Sequence, residues 1–332
     1  MKRFPSVCIA ILVYNTNPNM LQTCLNSVLG QDYNNFKVLV IDDHSTSCET
    51  LSILELYGKN KKISIIRNPT NLGIHKSRTL AIELASSDYF SFVDHDDVIP
   101  PNYISILVDA CCQCKNNNTI AKGRYFVFKE RWEFKKTEKI RTTVYTKNEA
   151  IERLLLDNMS PVWASMFPLA TLKGIVCDPK YGMDDVQCTY YAFLRCTNVV
   201  FVHVDIYAYR YTINSGMKNN AFLKQCLKTF EIWLEYSKTQ NLKVTEFLEY
   251  RVALGKIKCL IVEHYNDMKW KDFKQLISKE RRIITERYFR VQKYLSIKNK
   301  LHLLLFVLFE RIYCREYFKH RVKNYRALEK RD

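Results

Sequence analysis

The sequence predicts an α/β fold, with a doubly wound and mostly parallel sheet followed by a helical C-terminal extension. In the first hundred residues, apolar runs too short for helices alternate with segments of helical periodicity, as expected for a buried parallel sheet. From residue 221 onward the periodicity is helical throughout, with no proline and with Gly255 as the last glycine. These observations favour a sheet domain first and a helical region after it.

The first strand is predicted at residues 6–14, a continuous apolar run that fits a strand buried on both faces. Asn17 and Pro18 then supply an N-cap and a first-turn proline for a helix that ends near Gly30. The alternation continues with strands at 37–41, 63–66 and 89–93 and with helices at 49–57 and 74–85. Four βα units in sequence imply right-handed crossovers and a parallel sheet.

The pattern changes after Pro100 and Pro101. A helix is predicted at 103–115, and strand-like stretches follow at 123–128 and 199–206. We expect this half to close over the sheet and to receive a second substrate. The predicted domains are 1–220, made of halves 1–100 and 101–220, and a basic helical region at 221–332.

Composition limits the function classes. Lys and Arg number 51 against 34 Asp and Glu, a formal charge of +17 that indicates nucleic acid, an anionic membrane or a phosphorylated substrate as partner. The twelve cysteines are scattered and lack the paired CxxC spacing of structural zinc sites, so we expect reduced thiols. The apolar run near Met1 is too short for a signal peptide, and no window reaches the roughly 20 apolar residues of a membrane span. We therefore expect a cytoplasmic location.

Polar side chains follow each predicted strand, where open α/β sheets bind their ligands. They occur at 14–15, 42–43, 68–73 and 94–97. No GxGxxG follows the first strand and no GxxxxGK is present, which argues against dehydrogenase and P-loop sites. Asp94, Asp96 and Asp97 instead offer hard oxygen ligands for Mn²⁺ or Mg²⁺, which could hold a diphosphate. The structural alternative is an acidic turn that caps the next helix.

Five ordered motifs resemble those of glycosyltransferase family 2. They are Ser6–Ile11 with Tyr14-Asn15, Cys24–Gln31, Val40–Ser45, Asn71-Leu72-Gly73 with Ser77-Arg78, and Asp94–Asp97. The resemblance covers roughly residues 5–215 and implies the A-type nucleotide-diphospho-sugar transferase fold. It further implies an inverting, metal-dependent transfer of a sugar from a nucleotide-diphosphate donor, a UDP-sugar foremost, to a hydroxyl of a glycan or lipid-linked acceptor. The biological setting expected by this analogy is bacterial surface polysaccharide or lipopolysaccharide synthesis.

The resemblance also implies roles for donor-side residues. Asp42 would accept a hydrogen bond from the nucleotide base, with Tyr14 nearby, and Arg78 would lie near the nucleotide. Each has a structural alternative. Asp42 could cap a helix, Tyr14 could pack in the core, and Arg78 could be a solvated helix residue. The chain departs from the family pattern at His44, where glycine is usual, and at Thr79, where asparagine is common.

On the acceptor side, the resemblance makes Asp185 the base that deprotonates the acceptor, with Asp184 at the preceding acidic position. Trp163 would line the acceptor site, and Arg210 would clamp the diphosphate in a loop that continues to Asn214 and Ser215. The structural alternatives are an acidic first turn of a helix for the two aspartates, core packing for Trp163 and an ion pair for Arg210.

The C-terminal tail, residues 291–332, has eleven Lys or Arg against four Asp or Glu, and residues 301–309 are almost wholly apolar. With Arg311, Arg315, Lys319, Arg321 and Lys323 beside it, this stretch predicts either peripheral contact with an anionic membrane or packing on the catalytic domain.

Two other function classes remain as alternatives. A basic nucleic-acid-binding protein would explain the charge, but no recognisable nucleic-acid-binding motif is present, so no nucleic-acid partner is expected. An inactive transferase-fold scaffold is disfavoured because Asp42, Asp94, Asp96 and Asp185 occur together.

Overall fold

A computed structural model describes residues 4–114, 118–135, 139–156, 159–211 and 220–329. The chain forms two compact units. The first comprises Met1–Asp178 with Asp184–Thr212, and the second comprises Pro179–Met183 with Ile213–Asp332. The predicted domain boundary at residue 220 stays a prediction, and each unit is described by itself.

An eight-stranded sheet runs through the first unit. Its strands are β1 (Val7–Val13), β2 (Phe36–Asp42), β3 (Ile63–Arg67), β4 (Tyr89–Phe92), β5 (Thr119–Phe128), β6 (Thr142–Thr146), β7 (Ser165–Pro168) and β8 (Asn198–Arg210). The order across the sheet is β3-β2-β1-β4-β7-β5-β8-β6. Strands β3, β2, β1 and β4 pair in parallel, as do β5 and β8, whereas β7 and β6 pair antiparallel with their neighbours. The predicted α/β class and mostly parallel sheet are confirmed.

Helices connect these strands. They are α1 (Pro18–Leu29), α2 (Cys48–Gly58), α3 (Ile74–Leu84), α4 (Tyr103–Cys112), α5 (Lys147–Leu155), α6 (Leu169–Leu172) and α7 (Asp184–Arg195). The predicted N-cap is confirmed, because the Asn17 side chain accepts hydrogen bonds from the N–H groups of Asn19 and Met20. The continuous apolar run of β1 is buried on both faces, and Ile9, Ala10 and Ile11 are fully inaccessible to solvent. Burial on both sides explains why this strand lacks polar alternation.

The second unit is helical, as predicted. Its helices are α8 (Asn220–Thr239), α9 (Thr245–His264), α10 (Trp270–Leu276), α11 (Ser278–Val291), α12 (Ile297–Leu308) and α13 (Glu310–Glu329). Side chains such as Trp233, Phe247 and Ile257 are almost completely buried, so the unit has a core of its own. Across the described parts of the chain, no helix combines the length and apolarity that a bilayer crossing requires.

The short segment Pro179–Met183 belongs to this helical unit. The N–H of Met183 donates to Thr229 Oγ1 of α8 at 3.3 Å. Gly182 has φ +103°, and a Cβ added there would lie 2.0 Å from the same hydroxyl oxygen. Only glycine therefore fits at this contact, both for its backbone conformation and for the space available.

Candidate active site

The site lies at the carboxyl ends of β1, β2 and β4, which are adjacent parallel strands. Tyr14 follows β1 and is 47% exposed, so its ring is available to a ligand. Asn15, at φ +45°, accepts hydrogen bonds on Oδ1 from the N–H groups of Thr46 and Ser47, at 2.7 and 2.9 Å. These bonds tie the end of β1 to the loop after β2.

Asp42 ends β2 and is 1% exposed. Its Oδ1 accepts from the N–H of Ser45 at 2.9 Å, and its Oδ2 lies 2.5 Å from Arg67 Nη1. The sequence reasoning missed Arg67, although it ends β3 and is paired in register with Asp42. A base bound by Asp42 would have to share this carboxylate with Arg67, so the predicted base contact stays a prediction.

Asp43 organises the loop that ends at the start of α3. Its carboxylate accepts from Asn68 Nδ2 at 2.7 Å and from the N–H groups of Leu72 and Gly73, each at 2.8 Å. Burial opposes ionisation, yet these hydrogen bonds lower the pKa of Asp43 below its usual value. The next residue, His44, takes φ +65°, the left-handed conformation that explains why glycine is usual at this position of the family pattern.

Arg78, on α3, joins this rim to α7. It is 2% exposed, donates from Nε to Asp184 Oδ2 at 2.6 Å, and stacks over the ring of Phe92 at 4.5 Å. Burial opposes the charge of Arg78, but the neighbouring Asp184 raises its pKa above the usual value. The structure thus places Arg78 beneath the acidic pair of α7, and direct contact with a nucleotide stays a prediction.

Asp184 and Asp185 occupy the first turn of α7, and their pKa values shift in opposite directions. Burial opposes ionisation of Asp184, but the charge and hydrogen bond of Arg78 lower its pKa. Asp185 accepts from the N–H of Val186 at 2.7 Å. Burial, followed by the charge of Asp184, raises the pKa of Asp185 to about 7, and Asp94 contributes in the same direction. The acids after β4 and at the start of α7 are therefore close enough to interact electrostatically.

Asp94, His95, Asp96 and Asp97 form the turn after β4. Burial is the main cause that raises the pKa of Asp94. The charge of Arg78 opposes this shift, and the charge of Asp96 adds to it. The N–H of Asp94 donates to the Tyr207 hydroxyl at 3.0 Å. The side chain of Asp96 is 24% exposed, with His95 Nδ1 3.9 Å from its Oδ1. Asp94 and Asp96 are thus held in place at the edge of the site.

Asp97 differs from the other two acids because it is fully buried. Its Oδ1 accepts from the N–H of Arg210 at 2.6 Å. Burial, and then the charges of Asp94 and Asp96, raise the pKa of Asp97 to about 9. These features favour a structural role over the predicted metal ligation, which remains untested.

Arg210 secures the same turn from β8. Its Nε donates to the carbonyl of Asp96 at 2.6 Å, and its guanidinium lies 4.5 Å from the ring centre of Phe128. With 9% of its surface exposed, Arg210 contacts the acidic turn in the structure, and its predicted contact with diphosphate stays a prediction. Asn214 and Ser215, predicted in the following loop, lie outside the described residues.

Trp163 is 8% exposed and lies in an aromatic cluster. Its ring stacks on Tyr207 and Tyr209, at centroid distances of 4.7 and 5.4 Å, and meets Tyr125 edge-on. This burial favours the core-packing alternative, although Trp163 also lines a cavity of about 190 Å³ with Lys122 and Tyr125. Its predicted contact with an acceptor stays a prediction.

Lys122, on β5, is close enough to Asp185 for their charges to interact, and the sequence did not predict it. Its buried Nζ donates to the carbonyls of Pro161 and Trp163, at 2.6 and 3.2 Å, and to Ser165 Oγ at 2.9 Å. Burial lowers the pKa of Lys122 to about 7, against the opposing charge of Asp185. The sequence signal that could have identified Lys122 is a lysine among the buried positions of a predicted strand.

The acidic residues after β4 are the candidate ligands of a metal ion. Within the ranges that the structure describes, no three His, Cys, Asp or Glu side chains are arranged as a metal-binding group. Two carboxylates, Asp94 and Asp96, nevertheless fit a hard divalent cation, because carboxylate oxygens are hard ligands, no lysine or arginine pairs with them in the described structure, and Asp96 reaches solvent.

Comparison with known proteins finds a family match for about the first half of the chain. Residues 8–169 match the model of glycosyl transferase family 2. An uncharacterized glycosyltransferase of Haemophilus influenzae is 34% identical over 126 residues, which are 38% of this chain and 38% of the relative. WcaA of Escherichia coli K12, a glycosyl transferase named for colanic acid biosynthesis, is 33% identical over 108 residues, which are 32% of this chain and 38% of the relative. The chain thus spans well under half the length of these two relatives.

Among solved structures, Staphylococcus aureus TarS 1–349 in complex with UDP-GlcNAc superimposes with a TM-score of 0.59 at 18% sequence identity. The superposition covers 97% of this chain and 92% of that one, which shows a shared fold. The motifs, the sheet order and the matched family model agree. Residues 8–169 of this chain therefore resemble a glycosyl transferase family 2 domain in sequence, and the fold agrees with that match.

Proposed function

We propose that the chain transfers a sugar from a nucleotide-diphosphate donor to an acceptor hydroxyl, with inversion at the sugar carbon. The observation that carries this proposal is the state of Asp185. Its carboxyl is buried at the start of α7, its pKa is raised to about 7, and the charge of Asp94 contributes to that shift. This electrostatic coupling supports a site that contains both the proposed base and the proposed acidic ligands.

Asp185 has the properties of a general base at neutral pH, since catalysis is most efficient when the pKa of the base lies near the working pH. It takes the proton of the acceptor hydroxyl while the oxygen bonds to the sugar carbon. The bond from that carbon to the diphosphate breaks on the opposite face. Asp184 does not compete for this role, because Arg78 holds it in an ion pair at 2.6 Å.

Asp94 and Asp96 are the residues that would hold Mn²⁺ or Mg²⁺. When bound, the ion neutralises charge on the diphosphate as the nucleotide leaves. Arg210, through its bond to the Asp96 carbonyl, keeps the acidic turn in place. Tyr14 and Asp42 lie at the ends of β1 and β2, where the nucleotide base would bind, with Arg78 on the adjoining helix.

The finer identity of the substrates is proposed from the comparisons. UDP-GlcNAc in the TarS complex supports a UDP-sugar as donor, and the name of WcaA, which refers to colanic acid biosynthesis, supports a role in polysaccharide synthesis. We further propose a glycan or lipid-linked acceptor, and with it a location at the inner face of the cytoplasmic membrane.

Isothermal titration calorimetry tests the donor proposal. The folded protein is titrated with Mn²⁺ alone and then with a panel of nucleotide sugars, with and without Mn²⁺. We expect one nucleotide sugar to bind at least about tenfold more tightly with the metal. Nuclear magnetic resonance of the product then gives the anomeric configuration. Silence across the panel, from a protein that is folded by circular dichroism, would contradict the proposal, and a retained configuration would contradict inversion alone.

A further inference from the structure

The outward face of α12 is apolar. Ile297, Leu301, Leu305 and Leu308 recur along α12 at intervals of three or four and are 80%, 56%, 47% and 61% exposed. Ile312, in the first turn of α13, is 49% exposed. We call these five residues the outer stripe. Leu303 and Phe306, on the other face of the helix, are 2% and 1% exposed and anchor it to the helical unit. Part of the apolar stretch at 301–309 therefore packs inside the helical unit, and the rest is exposed to solvent.

An exposed apolar row of this length needs a partner. Single exposed apolar residues are normal on soluble proteins, but contiguous patches usually mark interaction surfaces. The stripe continues into Phe309, which is 53% exposed, and Leu304, which is 38% exposed, lies beside it. The inward face already satisfies the packing requirement of α12, so the helical unit leaves the outer stripe uncovered.

The charge around the stripe identifies the kind of partner. Residues 287–309 contain no Asp or Glu. Arg287 and Arg290 are neutralised by Glu249 and Glu246. Lys298 and Lys300 are exposed and, in the described part of the chain, form no ion pair. Arg321 and Lys323, further along the tail, have side chains outside the described residues. An apolar row between unpaired cations fits a surface that offers acyl chains beneath anionic headgroups.

We propose that the outer stripe inserts into the headgroup boundary of an anionic membrane, with Lys298 and Lys300 at the lipid phosphates. The twelve residues of α12 extend about 18 Å, short of the roughly 30 Å hydrocarbon core, so the helix lies in the plane of the bilayer. A second copy of the chain fits less well. A two-fold interface would bring two stripes with the same flanking lysines together, and two equally basic surfaces oppose such pairing.

Vesicle flotation tests this proposal without any sugar substrate, so its outcome is independent of the transfer reaction. We expect the protein to float with vesicles containing phosphatidylglycerol and to bind vesicles of phosphatidylcholine alone at least about tenfold more weakly. The double variant Leu301→Glu with Leu308→Glu should lose binding. The matched control is Leu56→Glu, at a leucine of α2 that is 55% exposed, and it should bind like the parent.

Insertion is measured separately, in a chain with Leu305→Trp. Lipids brominated on the acyl chains should quench its added fluorescence, whereas the parent gives the background from its four tryptophans. This reading holds even if the double variant does not fold. Failure of the parent to float, absence of added quenching, or a dimer in sedimentation that Leu301→Glu with Leu308→Glu dissociates would each overturn the proposal.

Discussion

The two acidic segments of the first unit, Asp184-Asp185 and Asp94–Asp97, differ in whether a lysine or arginine side chain forms an ion pair with them. At the start of α7, Arg78 forms an ion pair with Asp184 at 2.6 Å and lowers its pKa, whereas Asp185 accepts a hydrogen bond from the Val186 N–H and has a pKa of about 7. After β4, the described structure places no lysine or arginine in an ion pair with Asp94 or Asp96. Arg210 contacts that turn through the backbone carbonyl of Asp96.

This difference separates two chemical tasks. A segment with its own cation can keep one acid ionised and leave its neighbour ready to exchange a proton near neutral pH. A segment without one offers its carboxylates to a cation from outside, which is the role proposed for Asp94 and Asp96. The proposed transfer uses both arrangements, and substitutions can test each arrangement separately.

The largest effect is expected from Asp185→Asn, which removes the proposed base. Transfer should fall about 1000-fold, within the range typical of general bases, while donor binding measured by calorimetry stays within about twofold of the parent. In the parent, the rate should rise with pH through about 7, because Asp185 must lose its proton. That rise should be missing from the residual rate of the variant.

A matched control for this variant is Asp109→Asn, at an exposed aspartate of α4. It changes the same charge and should leave the rate unchanged. Parental transfer by Asp185→Asn would show that another group is the base.

The next largest effect is expected from Arg78→Met, which removes the positive charge paired with Asp184 and roughly preserves the side-chain volume. Asp184 would then be a buried charge without a partner, which costs about 3 kcal/mol of unfolding free energy. Chemical denaturation measures this loss. Since Arg78 also lowers the pKa of Asp185, the pH midpoint of the residual transfer rate should move upward. A midpoint at or below that of the parent would contradict the charge assignment.

A smaller effect is expected from Asp96→Asn, which removes one ligand from the segment that lacks a cation. Donor affinity in the presence of Mn²⁺ should fall about 100-fold, and affinity without the metal should change little. Calorimetry with and without Mn²⁺ distinguishes these cases. Equal losses under both conditions would mean that Asp96 contacts the donor directly.

The smallest effect is expected from Asp97→Asn. With a pKa of about 9, Asp97 is protonated at pH 7, and asparagine preserves both its shape and its acceptor for the Arg210 N–H. Donor binding and stability at pH 7 should therefore stay within about 0.5 kcal/mol of the parent.

The pH dependence sharpens this last comparison. The folded pKa of Asp97 exceeds the unfolded value, so its contribution to stability is complete below pH 4 and is lost as the pH rises through about 9. The variant lacks this loss and should become more stable than the parent above pH 9. Denaturation at pH 7 and pH 9.5 provides the check. Loss of Mn²⁺ binding by Asp97→Asn would instead restore Asp97 as a ligand.

Much of the fold of residues 1–100 was predictable from local sequence patterns. The run at residues 6–14, the cap at Asn17 and the proline at position 18 marked β1 and α1 closely. The second half was less predictable, because β7 inserts between β4 and β5 and pairs antiparallel with both. Such pairing depends on distant segments, and strand periodicity does not record which strands become neighbours.

The candidate site divides in the same way. The motifs predicted Asp94, Asp96 and Asp185 as site residues. In the structure Asp94 is close enough to both Asp96 and Asp185 for their charges to shift pKa values. Partners were not predictable, because the pairing of Arg67 with Asp42 and of Arg78 with Asp184 depends on three-dimensional register. Burial likewise distinguishes Asp97 from Asp96, although the two are adjacent in sequence.

The contact at Gly182 bears on how this chain can be shortened for the bench. Residues 179–183 pack with α8, and the next two residues are Asp184 and Asp185. An expression fragment that stops at residue 220 would remove Thr229, and with it the acceptor for the Met183 N–H. The backbone entering α7 would then lose its support two residues before the proposed base. Fragments intended for assays or crystals should therefore keep α8, even when their purpose is to isolate the sheet.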